Sequence, residues 1–214
     1  RMVGIVTVDD AMDVLTEAAA EDLSIMAAVT PDEKPYFAAS AWEHARHRVV
    51  WLLILMLSAA ITGSIITRYE DAISAVPLLV AFLPMLMDTG GNCGSQSATL
   101  VIRGISVGEI EFGDLFKVIF KEIRVAVLIS LILSVVNGIR IIIMGQGDAL
   151  IAFTIGLTMA CTIVIAKVVG CTLPLVAEKI GLDPAIMATP LISTLVDIST
   201  ISVYFAIVSA VFSL

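Results

Sequence analysis

Charge is scarce in this chain: Asp, Glu, Lys and Arg make up only 15% of its 214 residues, against roughly 25% in soluble domains. That shortage excludes an ordinary water-soluble globule with a polar skin. Cysteine is rare as well. The three present, Cys93, Cys161 and Cys171, lie in apolar or small-residue stretches without CxxC spacing, so neither a disulfide framework nor a zinc site is indicated. An intramembrane protease would need paired aspartates, a Ser/His dyad or HExxH, and none stands at a workable spacing, so the expectation is no enzyme. Basic excess is missing too, since the net charge is −8, and nucleic acid is not an expected partner. No glycine period exists, and the apolar content is too high for disorder.

What is present is hydrophobicity: 59% of residues are apolar and the mean hydropathy is +1.04. A helix needs about 20 mostly apolar residues to cross the hydrocarbon core. Five segments qualify, at about 49–67, 74–102, 118–144, 149–178 and 185–213. The fold class expected is therefore all-α integral membrane with five spans. Short polar connections separate them, including Arg68-Tyr69-Glu70-Asp71 and Gly145-Gln146-Gly147-Asp148. Lys34, Arg46, Arg48, Arg103, Lys117, Lys121, Arg124 and Lys179 gather on one side, against Arg68 and Arg140 on the other. This bias predicts a cytoplasmic N-terminus and an extracytoplasmic C-terminus.

The acidity is local. Residues 1–33 hold eight acids and one base, leaving 12 acids against 11 bases elsewhere. This stub reads as a short strand, Val3 to Val8, followed by a helix capped by Asp9 or Asp10, with Pro31 and Pro35 breaking it ahead of the membrane. His44 and His47 stand three residues apart, a spacing compatible with a metal pair, but flanking Arg46 and Arg48 favour headgroup-facing residues. The chain opens at Arg1 in mid-pattern, as a piece of a longer protein would.

Polar groups at bilayer depth are expensive and usually mark a pathway. In the second span Asp88, Asn92, Gln96 and Thr99 recur on one helical face. Pro84, Gly90, Gly91 and Gly94 predict weakened helix there, with carbonyls exposed along an ion path. Gly91, Gly94 and Ala98 also fit a close packing seam. In the fifth span Thr189, Ser193, Asp197, Thr200 and Tyr204 form a second polar stripe, and Asp197 lies near mid-span. Lys167, in the fourth span, either snorkels or pairs with a carboxylate such as Asp88. Oxygen donors without His or thiolate clusters favour hard cations. A twofold dimer would face two copies of Asp197 across a central pore.

At these residues the sequence resembles the MgtE family of bacterial magnesium channels. The resemblance rests on Pro84…Gly90-Gly91-Asn92-Cys93-Gly94-Ser95-Gln96 and on Leu182-Asp183-Pro184-Ala185…Pro190…Thr194-Leu195-Val196-Asp197. It implies a homodimeric Mg²⁺ channel of the bacterial plasma membrane, with the pore between protomers and Asp197 as its selectivity carboxylate. Thr189 and Ser193 would line the same site, and Asp183 the cytoplasmic mouth. The opening resembles the end of a CBS domain, which divides the chain into a CBS tail and acidic connection at 1–34 and a pore domain at 35–214. Asp13, Glu21 and Asp22 then become candidates for regulatory Mg²⁺, with further cytoplasmic domains ahead of them in a full-length member. The competing reading is a Na⁺- or H⁺-coupled divalent cation transporter in which Asp197 and Lys167 titrate.

Overall fold

The computed structural model describes residues 4–31, 34, 36–187 and 189–213, with the side chains of Asp71, Ala72, Ala75 and Thr189 outside that description. Among the described residues seven α-helices follow one another: α1 (Val8–Met26), α2 (Ala41–Arg68), α3 (Glu70–Ala75), α4 (Leu83–Ser106), α5 (Leu115–Ile143), α6 (Ala149–Lys179) and α7 (Thr189–Phe212). Short 3₁₀ turns at Pro77–Phe82, Phe112–Asp114 and Pro184–Met187 lead into α4, α5 and α7.

Among the described residues four helical segments are long and apolar enough to cross a bilayer: α2, α5 and α7 with the turns before the last two, and α6. The predicted span at 74–102 differs. It is split into α3, the Pro77–Phe82 turn and α4, and Asp88, Asn92, Gln96 and Arg103 dilute the hydropathy of α4. Its 24 residues still extend about 36 Å at 1.5 Å per residue.

α6 is the hub, packed against α4, α5 and α7, while α2 lies on α7. The core runs through Leu79, Leu86, Ile155, Ile163, Ile192, Val196 and Phe205, all essentially inaccessible. α2 and α5 instead show large apolar side chains outward, among them Leu52, Met56, Leu128, Ile132 and Ile143. Such surfaces suit hydrocarbon as solvent rather than water.

Close approach, not flexibility, explains the glycines of α4. A Cβ on Gly90 would come 2.7 Å from Thr162 Cγ2 and 2.8 Å from Val196 Cγ1, and one on Gly94 would come 2.8 Å from Ile192 Cγ2. A Cβ on Gly170 would collide with the Gly94 carbonyl, so α4 and α6 touch backbone to backbone. The pairings rise together along α4 and α6 and run oppositely along α4 and α7. The first pair is therefore parallel and the second antiparallel. The expected weakening of the second span is corrected here: α4 is unbroken through Gly90, Gly91 and Gly94, and Pro84 sits in the first turn, where no intrahelical N–H partner is lost. The irregular backbone lies one step earlier, at Pro77–Phe82.

The stub also differs from expectation. Among the described residues no strand forms at positions 4–8, and Val8 already belongs to α1; Val3 lies outside the described residues. The cap is Thr7, not Asp9 or Asp10. Thr7 Oγ1 accepts from the Asp10 backbone N–H at 3.2 Å and Asp10 Oδ2 accepts from the Thr7 N–H at 2.9 Å, a reciprocal capping box. The Thr7 hydroxyl, together with its N–H, holds the Asp10 carboxyl below the usual carboxylate range. α1 ends at Met26 through Ala27 and Ala28, the latter at φ 54°, five residues before Pro31. Pro35 lies outside the described residues. The exposed α1 packs against the Pro184–Met187 turn that opens α7.

Candidate cation site

Between α4 and α7 lies a pocket of about 200 Å³ lined by Met87, Asp88, Gly91, Asn92, Ser193 and Asp197. The two polar stripes predicted on the second and fifth spans meet here. α4 delivers Asp88 and Asn92 one turn apart on its exposed face, while Leu86, Gly90, Cys93 and Gly94 bury its other side. α7 delivers Ser193 and Asp197 one turn apart in the same way. Gly91 leaves the gap between them, because a Cβ there would stand 3.2 Å from Ser193 Oγ.

Among the described residues, no Lys, Arg or His pairs with Asp88 or Asp197. None of Asp88, Asn92, Ser193 and Asp197 has a side-chain hydrogen bond among them either. Other hydroxyls of α7 behave differently: Thr194, Ser199 and Ser202 each donate to the carbonyl four residues back, at 2.8 to 2.9 Å. The pocket thus collects carboxylate, amide and hydroxyl oxygens that the protein itself leaves unused. Two carboxylates in one small pocket repel each other, and a cation between them removes that cost. Among the described residues no three His, Cys, Asp or Glu side chains converge as a metal cage would require. Two carboxylates with neutral oxygens suit an ion that keeps part of its water shell. At about 30 Å³ per water, the pocket has room for several.

The other predicted residues separate by role. Gly90 and Gly94 form the packing seam rather than the wall. Gln96 and Thr99 continue the exposed stripe of α4 beyond the pocket. Asp183 is exposed outside it, and its Oδ1 accepts from the Ala185 N–H at 2.8 Å, fixing the turn before α7. The side chain of Thr189 lies outside the described residues. Thr200 and Tyr204 leave the predicted stripe: both are buried in the bundle, and the Tyr204 hydroxyl donates to the Leu79 carbonyl at 2.8 Å. Asp13, Glu21 and Asp22 are exposed along α1. The His44 ring contacts the Tyr36 carbonyl at 3.0 Å.

Lys167 neither snorkels nor reaches Asp88. Its Nζ lies 3.2 Å from Glu122 Oε2 and donates to Ser97 Oγ at 3.0 Å, while Ser97 Oγ donates to Glu122 Oε2 at 2.5 Å. This sealed triad ties α4, α5 and α6 together on the face of α4 opposite the pocket. Glu122 escaped the sequence reading because it sits among Lys117, Lys121 and Arg124 and reads as interfacial. A signal existed: Glu122, Ala126, Ser130, Asn137 and Ile141 are the buried stripe of α5.

A family model described as MgtE, divalent cation transporter, matches residues 83–207. That range holds both walls of the pocket and all of the triad. The chain is 39% identical over 213 residues to the magnesium transporter MgtE of Bacillus subtilis, covering 98% of this chain and 46% of that protein. With the magnesium transporter MgtE of Thermus thermophilus it is 36% identical over 211 residues, covering 97% of this chain and 46% of that protein. With the magnesium transporter MgtE of Enterococcus faecalis the identity is 33% over 212 residues, covering 98% and 45% respectively. The chain therefore spans about half the length of the curated relatives it matches. From the matched range and these relatives, the chain belongs to the MgtE family of divalent cation transporters.

Proposed function

We propose that this chain is the ion-conducting membrane part of a magnesium transporter and passes partly hydrated Mg²⁺ down its electrochemical gradient through the pocket between α4 and α7. The observation that carries this reading is a set of oxygen ligands left without partners: Asp88, Asn92, Ser193 and Asp197. The names of the relatives support Mg²⁺ as the ion. Asp197 is the principal ligand, with Asp88 beside it as a second carboxylate. Weak, water-mediated holding suits conduction, which requires that the ion also leave. Thr189, one turn before Ser193, is assigned to the same wall.

Five spans are proposed, with α4 as the second. The parallel pairing of α4 with α6 and the antiparallel pairing of α4 with α7 agree with five alternating crossings. The Lys and Arg bias then puts the N-terminus in the cytoplasm and the C-terminus outside the bacterial plasma membrane. The polar stripe Asp88, Asn92, Gln96 and Thr99 is exposed on this chain, and exposed polar groups at membrane depth need water or protein against them. A second copy across a twofold axis supplies both, with the pore between protomers. Asp183 stands at the cytoplasmic approach. Residues 1–34 are read as the tail of a CBS domain joined by an acidic connection. Asp13, Glu21 and Asp22 are its candidates for regulatory Mg²⁺, with α1 resting on the turn that opens α7.

The test is Mg²⁺ flux in proteoliposomes at a set voltage, with and without Na⁺ and pH gradients. Flux that follows voltage and ignores both gradients is the expected result. Flux that appears only with a counter-ion gradient would replace the channel with a coupled carrier.

A further inference from the structure

A second cavity, larger at about 360 Å³, opens where α5 ends, lined by Leu78, Ala81, Phe82, Met85, Arg140 and Gln146. Arg140, half-buried, lies in the last turn of α5. Its Nε donates to Asn137 Oδ1 at 3.0 Å, one terminal nitrogen to Gln146 Oε1 at 3.1 Å, and the other contacts Met85 Sδ at 3.5 Å. All three acceptors are neutral, and no acid pairs with the guanidinium among the described residues. Asn137, only 6% exposed, accepts with Oδ1 and keeps Nδ2 buried without an acceptor. Among the described residues the cavity thus offers a guanidinium with no anion against it, and a guanidinium fork matches phosphate oxygens in geometry.

The remaining walls are apolar. Around the last turns of α5, Ile139, Ile142, Ile143 and Met144 are exposed, so this helix is apolar outward up to the level of Arg140. A cationic head above an apolar trough, at the height where a spanning helix ends, has the amphipathic character of a lipid. A soluble anion would make no use of Leu78, Phe82 and Met85. We propose that this pocket binds an anionic phospholipid, with its phosphate on Arg140 and the first acyl carbons against Leu78, Phe82 and Met85. Every apolar wall comes from the Pro77–Phe82 turn and the first turn of α4, and Met85 stands one turn before Asp88. The bound lipid therefore braces the entry of the helix that carries half of the carboxylate pocket. The inference goes beyond the ion path and holds whether or not that reading survives.

Native mass spectrometry of the full chain, released from vesicles of phosphatidylcholine mixed with phosphatidylglycerol, tests it. The wild type is expected to retain phosphatidylglycerol over phosphatidylcholine about fivefold, the scale set by about 1 kcal/mol per cation at an anionic surface. Arg140→Gln brings the ratio close to one. Ala81→Trp fills the cavity with the guanidinium in place and lowers retention of both lipids, which keeps the test decisive if Arg140→Gln does not fold. Equal retention of the two lipids by the wild type would overturn the proposal, as would an unchanged ratio in Arg140→Gln or undiminished retention in Ala81→Trp. Complete displacement of phosphatidylglycerol by inorganic phosphate would make this a free-anion site and equally end the lipid assignment. Ala81→Trp converting a dimer to monomers would show that a second copy, not a lipid, covers the cavity.

Discussion

Two polar clusters flank α4 on opposite faces, and they are built to opposite rules. On one side Ser97, Glu122 and Lys167 form a neutral triad at 2.5 to 3.2 Å. The Glu122 and Lys167 side chains are only 11% and 3% exposed. On the other, Asp88 and Asp197 share an open pocket with Asn92 and Ser193 and, among the described residues, have no cation of the protein's own. Burying charges is costly unless they are paired and hydrogen-bonded, and the triad meets that condition completely. The pocket does not. The same helix carries both solutions one or two turns apart, so the chain had the means to neutralise Asp88 and Asp197 and does not use it. The missing counter-charge is what the proposed cation path rests on.

The sharpest way to break this contrast is to strip the closed cluster of its cation. Lys167→Met leaves Glu122 buried and unpaired, and is expected to cost about 3–5 kcal/mol, the scale for breaking a buried pair. Glu122→Gln together with Lys167→Met should recover most of that loss, because no charge is then left uncompensated. Thermal unfolding in detergent reads both, and equal destabilisation by the single and double changes would mean that the pair is not the source. Charge can also be removed from the open cluster. Asp88→Asn should leave unfolding unchanged and raise the Mg²⁺ concentration for half-maximal flux on the order of tenfold, about 1.4 kcal/mol. That matches one carboxylate acting on a doubly charged ion about 6 Å away across water, at a dielectric of about 80. Gln96→Ala should matter least. Gln96 continues the α4 stripe outside the pocket, so a change in Mg²⁺ flux below about twofold is expected, as for surface substitutions away from a site. A larger loss would extend the ion path along the stripe.

Much of this was legible in the sequence where it depended on periodicity. Runs of apolar residues located the spanning helices, and four-residue recurrence located both stripes and singled out Asp197. What periodicity cannot carry is which face meets which neighbour. α5 is apolar nearly all round, and although Glu122, Ala126, Ser130 and Asn137 share a face, nothing local shows that this face turns inward to Lys167, 45 positions away. Asp88 was matched with the wrong partner for the same reason. Glycine was ambiguous too, since it serves both irregular backbone and close packing, and only the Gly94 to Gly170 contact decides for packing. Thr200 and Tyr204 stay within about 60° of Asp197 around α7 but stand one to two turns further along it, where Thr200 packs on Gly90 and Tyr204 on the Leu79 carbonyl, a covering that spacing alone does not show. At the stub, Thr7 was passed over for its acidic neighbours although it begins a Thr-x-x-Asp pattern close to a capping box.

The most direct measurement of the central claim is Mg²⁺ flux through Asp197→Asn beside the wild type, in vesicles at fixed voltage, with both proteins shown to be folded by their unfolding curves. The substitution keeps the shape of the side chain and removes its charge. A loss of flux on the order of a hundredfold or more, about 2.7 kcal/mol, with an unchanged unfolding curve, is what an unneutralised carboxylate at the ion site predicts. Unaltered flux and ion preference from a folded Asp197→Asn protein would contradict it and move the cation path away from the pocket between α4 and α7.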